Sequence, residues 1–334
     1  MALNYNQDLT KQHHRIVVLG ATGTIGRATT VALLRNGYNV TCVVRPGSGT
    51  TDLQINLHGA EIVEADITDS DGLRSTVFAN ASFDAVISCL ASRNGAPKDA
   101  VAIDHHATVR AIEAAKAEGV AHFVLLSAIC VQKPRLAFQH AKLAAEQALV
   151  ASGLTFSIVR PTAYFKSLSG QIARLQRGKP YLLFGDGELT ACTPISDRDL
   201  GEYLVSCLAD PGLRNHILPI GGPGPALTPH AQGEYLFSLL GRRPRFKYFP
   251  VGMMRGIAGA LGAASRLVPS LSAKAEFARI GLYYATESML VLDPETGRYD
   301  RAATPSTGQD TLFDYYAAVI NGETTVERGE HSVF

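Results

Sequence analysis

A glycine-rich segment between an apolar run and a helical pattern constrains the fold of this chain more than any other feature. Gly20, Gly23 and Gly26 follow directly on the apolar residues 16–19 and open an apolar-patterned segment at residues 25–34. Glycine permits positive φ angles and lets a pyrophosphate approach backbone amides, while the helix start adds partial positive charge. The pattern predicts a strand, a nucleotide-binding loop and a helix, although a tight turn in any α/β protein can also be rich in glycine. The residues expected to contact the cofactor are Gly20, Thr22, Gly23, Thr24, Ile25 and Gly26.

Short apolar runs rich in Val and Ile alternate with helical patterns through the first half of the chain. These runs are Arg15–Leu19, Asn39–Val44, Glu61–Glu64, Ala85–Ser88, 122–127 and 155–159. Continuous apolar strands separated by helices predict a parallel sheet covered on both faces, the doubly wound Rossmann arrangement of the α/β class. We therefore expect an NADP-binding domain at 13–162, a smaller α/β substrate region at 163–322, and tails at 1–12 and 323–334.

The second region is marked by dense turn residues after position 162. Helices are predicted at 196–209, 229–240 and 309–320, and this region is expected to shape the substrate cleft. The weakly polar stretch at 251–269 contains Arg255 and Arg266, so it does not predict a membrane span. It is either a helix packed on the core, a segment that lies against a membrane, or a cover for an apolar ligand.

The residue at the end of the second strand distinguishes between two cofactors. Arg45 stands 19 residues beyond Gly26, where an acidic residue would bind the ribose hydroxyls of NAD. The planar guanidinium pairs well with a 2′-phosphate, so NADPH is favoured over NADH. The alternative is an Arg that is simply solvated at a strand end, beside the loop at 46–49.

Further cofactor contacts are predicted from position, because dinucleotides lie at the carboxyl ends of parallel strands. Residues after the third strand would flank the adenine, and those after the fourth would lie along the pyrophosphate and nicotinamide ribose. Residues shortly after the sixth run are expected at the same edge. These residues are Asp66, Ile67, Leu90, Ala91, Ser92, Pro161 and Thr162. Asp66 could equally cap the following helix.

The predicted helix after the fifth strand lacks one hydroxyl group. Many extended short-chain dehydrogenases place Tyr and Lys four residues apart there, so that Lys lowers the pKa of Tyr for proton transfer to a carbonyl. This chain has Phe138 and Lys142, with Ser127 at the end of the fifth strand as the expected partner group. Phenylalanine cannot donate a proton, so reduction of a conjugated carbon–carbon double bond is favoured over carbonyl chemistry. The alternative is that Lys142 is a surface residue.

Composition narrows the range of partners. A net charge of +1 over 334 residues provides no basic stripe, so no nucleic acid is expected. Five cysteines without CxxC spacing predict reduced core thiols and no metal site. Residues 1–15 are polar and lack an apolar targeting core, which favours a cytoplasmic protein.

Several segments together resemble one family, the NADPH-dependent 3,8-divinyl chlorophyllide 8-vinyl reductases of chlorophyll and bacteriochlorophyll synthesis. The resemblance runs from about residue 15 to residue 320. The segments that carry it are 138–142, 160–168, 178–181, 184–187, 194–197, 218–224 and 283–290. It implies an atypical short-chain reductase that transfers a hydride to the C8 vinyl group of divinyl chlorophyllide or protochlorophyllide. Compared with plant members the long transit region is missing, so the expected location is the bacterial cytoplasm, with possible peripheral membrane contact.

The resemblance also implies roles for individual residues. Lys142 is expected to hold the nicotinamide ribose and supply positive potential, with Ser127 near the ribose or carboxamide and Thr162 beside the nicotinamide. Substrate contacts are expected from Tyr164, Phe165, Lys166, Tyr283 and Tyr284, although ordinary packing is an alternative for each Tyr. Candidate cations for an acidic substituent of the tetrapyrrole are Arg174, Arg177, Lys179 and Arg279.

Two other functions remain open at this point. The chain could be a non-catalytic NADP(H)-binding regulator or assembly factor, or a Tyr-less double-bond reductase of phenolic substrates.

Overall fold

A parallel β-sheet of seven strands forms the centre of the molecule. The computed structural model describes residues 14–47, 57–79, 81–93 and 95–326. Its strands are β1 (Arg15–Leu19), β2 (Asn39–Val44), β3 (Glu61–Glu64), β4 (Ala85–Ser88), β5 (His122–Leu126), β6 (Thr155–Pro161), β7 (Tyr181–Phe184), β8 (His216–Ile220), β9 (Phe246–Phe249), β10 (Val291–Leu292) and β11 (Tyr299–Asp300). The central sheet has the order β3-β2-β1-β4-β5-β6-β8, while β7 pairs with β9 and β10 pairs with β11.

Helices cover both faces of this sheet. The described α-helices of four or more residues, not all of which lie on this sheet, are α1 (Thr24–Arg35), α2 (Ser70–Leu73), α3 (Thr108–Ala117), α4 (Ala137–Ala151), α5 (Phe165–Leu168), α6 (Ile172–Gln176), α7 (Asp197–Ala209), α8 (Pro229–Leu239), α9 (Val251–Leu267), α10 (Ser272–Thr286) and α11 (Leu312–Ile320). A π-helical stretch, Ala100–Ala107, leads directly into α3, and another, Arg74–Phe78, follows α2.

Alternation along β1 shows how the two faces acquire separate cores. Val17 and Leu19 point into the core beneath α3, whereas Ile16 and Val18 point into the core beneath α1 and α7. Successive side chains of a strand face opposite sides, so a wholly apolar strand fills both layers at once. This buried, two-sided sheet confirms the predicted doubly wound α/β class.

Four of the six predicted strands have the bounds that the sequence indicated. Strand β5 ends one residue earlier, at Leu126, and β6 continues by two residues to Pro161 because it pairs with β8 through Pro161 and Ile220. The loop residues Ser48 and Gly49 and the tail residues 1–12 and 327–334 lie outside the described residues.

Two elements that follow residue 162 belong to the central sheet and the helices that cover it. Strand β8 adds to the sheet beside β6. Helix α7 packs on α1 so closely that a Cβ on Gly201 would lie 2.8 Å from the carbonyl carbon of Ala28. A division of the chain at 162/163 thus follows chain order, whereas the sheet layer draws on both sides of it.

A second core lies beyond the carboxyl edge of the sheet. It is built by the β7–β9 pair with α5, α6, α8 and α11. Tyr316 is fully buried at its centre, and its hydroxyl donates to the carbonyl of Leu168 over 2.8 Å. This layer holds the segment after β6 in place above the sheet.

Helices α9 and α10 form a hairpin at the side of the molecule. The predicted helix at 251–269 is present as α9, but Ala258 is its one buried residue. It therefore packs on α10 rather than within the core, and its apolar surface stays largely open. None of the described helices is both long enough and apolar enough to span a bilayer.

Candidate active site

The glycine loop between β1 and α1 has the geometry of an anion cradle. Gly20 has a φ of +79°, and a Cβ there would lie 2.8 Å from the carbonyl oxygen of Cys89. A Cβ on Gly26 would collide with the carbonyl oxygen of Gly20. The N-cap of α1 is Gly23, which offers no side chain to the first amides of the helix. These amides and the helix dipole are open to an anion, so the loop fits the pyrophosphate of a dinucleotide.

Lys166 lies on α5, in the second core, and its side chain extends to this cradle. Its ammonium donates to the hydroxyl of Thr24, the first residue of α1. The sequence placed Lys166 in the substrate cleft, whereas the structure places its charged end at the glycine loop. An ammonium and a helix N-terminus are both positive, and together they favour a bound anion.

The ends of β2 and β3 lie side by side at the adenine end of the predicted site. Arg45 follows β2 and is exposed, and the amide of Ala65 donates to the carbonyl of Val44 over 2.9 Å. Asp66 accepts from the hydroxyl and the amide of Thr68 over 2.6 and 2.8 Å, and these bonds, the hydroxyl first, lower the pKa of Asp66. Asp66 thus caps a local turn, while Ile67 is buried below it.

A buried ion pair lies below the end of β4. The Nζ atom of Lys142 lies 3.0 Å from an Oδ atom of Asp104, and their side chains are 12% and 1% exposed. The same Nζ donates to the carbonyl of Leu90 over 3.5 Å, and the carboxylate of Asp104 accepts from the amide of Ser92. Lys142 is therefore no surface residue: one carboxylate holds both the ammonium and the backbone of the loop predicted to follow the cofactor.

Sequence reasoning missed Asp104, although the sequence contains a signal for it. Asp104 stands within the mostly apolar stretch Ala100–Ala107. A charged residue there must be paired when the stretch is buried, and a π-helical insertion is frequent at functional sites. An acid in this position therefore indicates a cation nearby, which the structure identifies as Lys142.

Ser127 belongs to a second buried network. Its hydroxyl donates to Glu146 over 2.5 Å, and Glu146 also accepts from the guanidinium of Arg160, with the Nε contact at 3.0 Å. Glu146 and Ser127 are each 3% exposed. Ser127 and Lys142 line one small cavity together with Asp104 and Leu90. The predicted pair is thus brought together, but the Ser127 hydroxyl already has a carboxylate partner.

The residues at the end of β6 are fixed by hydrogen bonds and burial within the protein. Thr162 is buried; its amide donates to the carbonyl of Ile220 over 2.9 Å and its hydroxyl donates to the carbonyl of Thr193. Pro161 is buried as the last residue of β6. Both residues lie at the carboxyl edge where the nicotinamide is expected, with the Thr162 hydroxyl used within the protein.

Two thiols lie near the ammonium of Lys142, and two phenols lie near those thiols. Cys89 and Cys130 both lie within its electrostatic range, Tyr164 lies near both thiols, and Tyr284 lies near Cys130 and Tyr164. Burial raises the pKa of Cys89 to about 12 and raises those of Cys130 and Tyr164. These groups therefore keep their protons at neutral pH, and the Lys142–Asp104 pair carries the charge of this centre.

The remaining predicted substrate residues divide by burial. Phe165 is 4% exposed and contacts Tyr315 in the second core, with ring centroids 5.6 Å apart. Tyr283 is 3% exposed, and its hydroxyl donates to the carbonyls of Cys130 and Lys133. Both have packing roles. Among the predicted aromatic residues this leaves two that a ligand could reach: Tyr164, which is partly buried, and Tyr284, which is 36% exposed.

The four candidate rim cations are not equivalent. Arg174 donates to the carbonyl of Pro180 over 2.7 Å, and Arg279 contacts Glu276 over 3.1 Å. Arg177 and Lys179 are exposed at the turn after α6. No group of three or more potential metal-binding side chains occurs among residues 14–47, 57–79, 81–93 and 95–326.

Comparison with known proteins agrees with this geometry. Residues 20–211 match the NAD(P)H-binding family model. The chain is 48% identical to a chloroplastic divinyl chlorophyllide a 8-vinyl-reductase of Arabidopsis thaliana, over 94% of this chain and 79% of that protein. It is 46% identical to the corresponding protein of Oryza sativa subsp. indica, over 98% of this chain and 84% of that protein.

A solved structure shows the same fold over most of the chain. The NADPH-dependent quinone oxidoreductase QOR2 of Escherichia coli is 18% identical and superposes with a TM-score of 0.67, over 92% of this chain and 100% of that one. The expected bacterial cytoplasmic location is wrong, because the reductases to which the chain is 46–48% identical are chloroplastic and point to a plastid. The polarity of fifteen residues does not determine a compartment.

Proposed function

Because the chain belongs to the family of divinyl chlorophyllide a 8-vinyl-reductases, we propose that it reduces the C8 vinyl group of 3,8-divinyl chlorophyllide a or protochlorophyllide a to ethyl, using NADPH. The observation that carries this proposal is identity of 46–48% over nearly the whole chain with reductases of that name. The reaction class agrees with the residues, since Phe138 stands where a carbonyl reductase needs a phenol. The product would be an 8-ethyl tetrapyrrole for chlorophyll biosynthesis.

The bound dinucleotide supplies a hydride at the carboxyl edge of the sheet, and the chain supplies the positions and charges around it. Lys142 would hold the nicotinamide ribose, because its ammonium is fixed by Asp104 beside the Leu90–Ser92 loop. A fixed positive charge also stabilises the negative charge that hydride addition leaves on a conjugated substrate. Ser127 would help to shape the cavity that it lines with Lys142, and it would not act as an acid, because its hydroxyl already donates to Glu146.

The functional test is reduction of the substrate by the purified protein. Adding NADPH and divinyl chlorophyllide a should shift the Soret band to the blue, with one NADPH consumed for each vinyl group reduced. A regulator or assembly factor would bind NADPH without turnover, and a reductase of phenolic substrates would leave the Soret band unchanged. Either result would contradict the proposal.

Lys166 is proposed to bind the cofactor pyrophosphate, because its ammonium lies against Thr24 at the start of α1. Replacing Lys166 with Met should raise the Kd for NADPH by about tenfold, as expected for loss of one charge-assisted hydrogen bond. Titration of NADPH fluorescence would measure this change. Lys179→Met, an exposed lysine on the turn after α6, is the control and should leave the Kd unchanged. Equal affinity of both variants would remove Lys166 from the cofactor site.

Arg45 is proposed to recognise the 2′-phosphate of NADPH. Replacing Arg45 with Glu puts a carboxylate at that point, where it repels phosphate and accepts ribose hydroxyls. The ratio of kcat/KM for NADPH to that for NADH should fall by at least tenfold. Arg35→Glu, at the C-terminal end of α1 and far from the glycine loop at its start, is the matched charge control. An unchanged ratio in the Arg45 variant would contradict this assignment.

A further inference from the structure

We infer that the groove between α9 and α10 is the site that holds the tetrapyrrole macrocycle. This inference rests on the proposed function and adds a location that the sequence did not provide. The groove is lined by Met254, Ile257, Leu261, Ala273, Lys274, Phe277, Ala278 and Gly281.

The size and chemistry of the groove suit a broad, flat and apolar ligand. The groove has a volume of about 570 Å³, and small-molecule sites typically span roughly 300–1,000 Å³. Ile257 of α9 and Phe277 of α10 both line it and are 50% and 51% exposed. Large apolar side chains in such a contiguous patch are costly to leave in water, which indicates that a ligand covers them.

The groove leads toward the Lys142 centre. Phe277, Gly281 and Tyr284 are spaced i, i+4 and i+7 and therefore share one face of α10. Tyr284 lies at the end of this face, next to the thiol of Cys130, which itself lies within electrostatic range of Lys142. A macrocycle in the groove would thus direct one edge toward the predicted nicotinamide position.

Helix α10 also lies against the loop that follows β4. A Cβ on Gly95 would lie 3.1 Å from Ile280 of α10 and 3.4 Å from Phe138 of α4. The carboxylate of Glu276 accepts from the amide of Ala137 over 2.7 Å, at the start of the helix that carries Lys142. Helix α10 is thereby held against both elements that build the centre.

Charge complements the acidic substituent of the proposed substrate. Residues 251–275 include Arg255, Arg266 and Lys274 and contain no Asp or Glu. Lys274 lines the groove, and no ion pair of its ammonium occurs within the described part of the chain. Arg279, a cation chosen from the sequence, is instead engaged by Glu276. Lys274 is therefore the cation to which we assign the substrate carboxylate.

Matched substitutions test the groove directly. Ile257→Asp places a carboxylate in the apolar lining, whereas Val31→Asp places one at a similarly exposed site in the middle of α1, where Val31 is 42% exposed. Binding of divinyl chlorophyllide a, measured by its own fluorescence anisotropy without NADPH, should weaken at least tenfold in Ile257→Asp and stay within twofold in Val31→Asp. Lys274→Met should raise the substrate KM by about tenfold with kcat unchanged. The Kd for NADPH should be unchanged in all three variants, which shows that they are folded.

The outcomes separate the groove from the proposed function. If the wild type reduces the substrate while Ile257→Asp and Lys274→Met bind it normally, the groove assignment is wrong and the function stands. If the wild type binds the tetrapyrrole in the groove without reducing it, the function fails and the groove stands. If the Ile257 variant loses sedimentation with phosphatidylglycerol vesicles but keeps substrate affinity, the groove is a membrane surface and this inference is overturned.

Discussion

Replacing Lys142 with Met is expected to lower kcat for vinyl reduction by about 100- to 1000-fold, the usual effect of removing one preorganised electrostatic stabiliser. The methionine stem keeps most of the packing volume, but the ammonium that lies 3.0 Å from Asp104 is lost. The substrate then acquires charge beside an unpaired carboxylate. Stopped-flow absorbance with saturating NADPH and divinyl chlorophyllide would measure this loss at the chemical step.

A double substitution controls for the carboxylate that Lys142→Met leaves behind. Lys142→Met leaves the buried carboxylate of Asp104 without a counter-charge to offset the cost of its desolvation. The single substitution therefore also reduces stability. Lys142→Met combined with Asp104→Asn removes both charges and should recover stability in thermal unfolding without recovering kcat. Wild-type kcat in the single variant would exclude Lys142 from the mechanism.

Replacing Glu146 with Ala is expected to lower the free energy of unfolding by about 3–5 kcal/mol, the cost of leaving a buried charge without its partner. Glu146 is 3% exposed and receives bonds from both Arg160 and Ser127. Its loss leaves the guanidinium of Arg160, whose side chain is 17% exposed, between α4 and β6 with no carboxylate opposite. Urea unfolding followed by circular dichroism would measure the change.

An exposed ion pair provides the matched control for Glu146. Arg74 lies 2.7 Å from Glu118, with side chains 60% and 29% exposed. Exposed pairs contribute about 0–1 kcal/mol, so Glu118→Ala should change the free energy of unfolding little. A similar decrease in the free energy of unfolding of both variants would mean that burial does not determine how much the Glu146 network stabilises the protein.

The strands of the central sheet are largely predictable because burial on both faces demands an unbroken apolar run. Strands β1, β2 and β4 are largely apolar and almost entirely buried, and their ends match the sequence prediction to the residue. Strand β8 was not predicted, since it contains Pro219 and begins with the exposed His216. An edge strand needs fewer apolar residues, and its pairing depends on a partner far away in sequence.

The candidate site was predictable where local backbone geometry dictates the residue. Gly20 and Gly26 can be identified from sequence because a turn and a close approach exclude a Cβ. The contacts of Lys166 with α1, and of Asp104 with Lys142, join residues far apart in the chain. No periodicity reports such contacts, so both could be found only from three-dimensional packing.

Strand β8 lies far after β6 in the chain, and this separation affects how the protein folds during synthesis. A nascent chain that has emerged only to residue 162 already contains β1 to β6, yet the pairing edge of β6 has no neighbour. The backbone groups of residues 157–161, which pair with β8 in the native protein, would then be open along that edge. Open strand edges with apolar side chains promote aggregation, so synthesis up to residue 220 requires either rapid translation or chaperone cover.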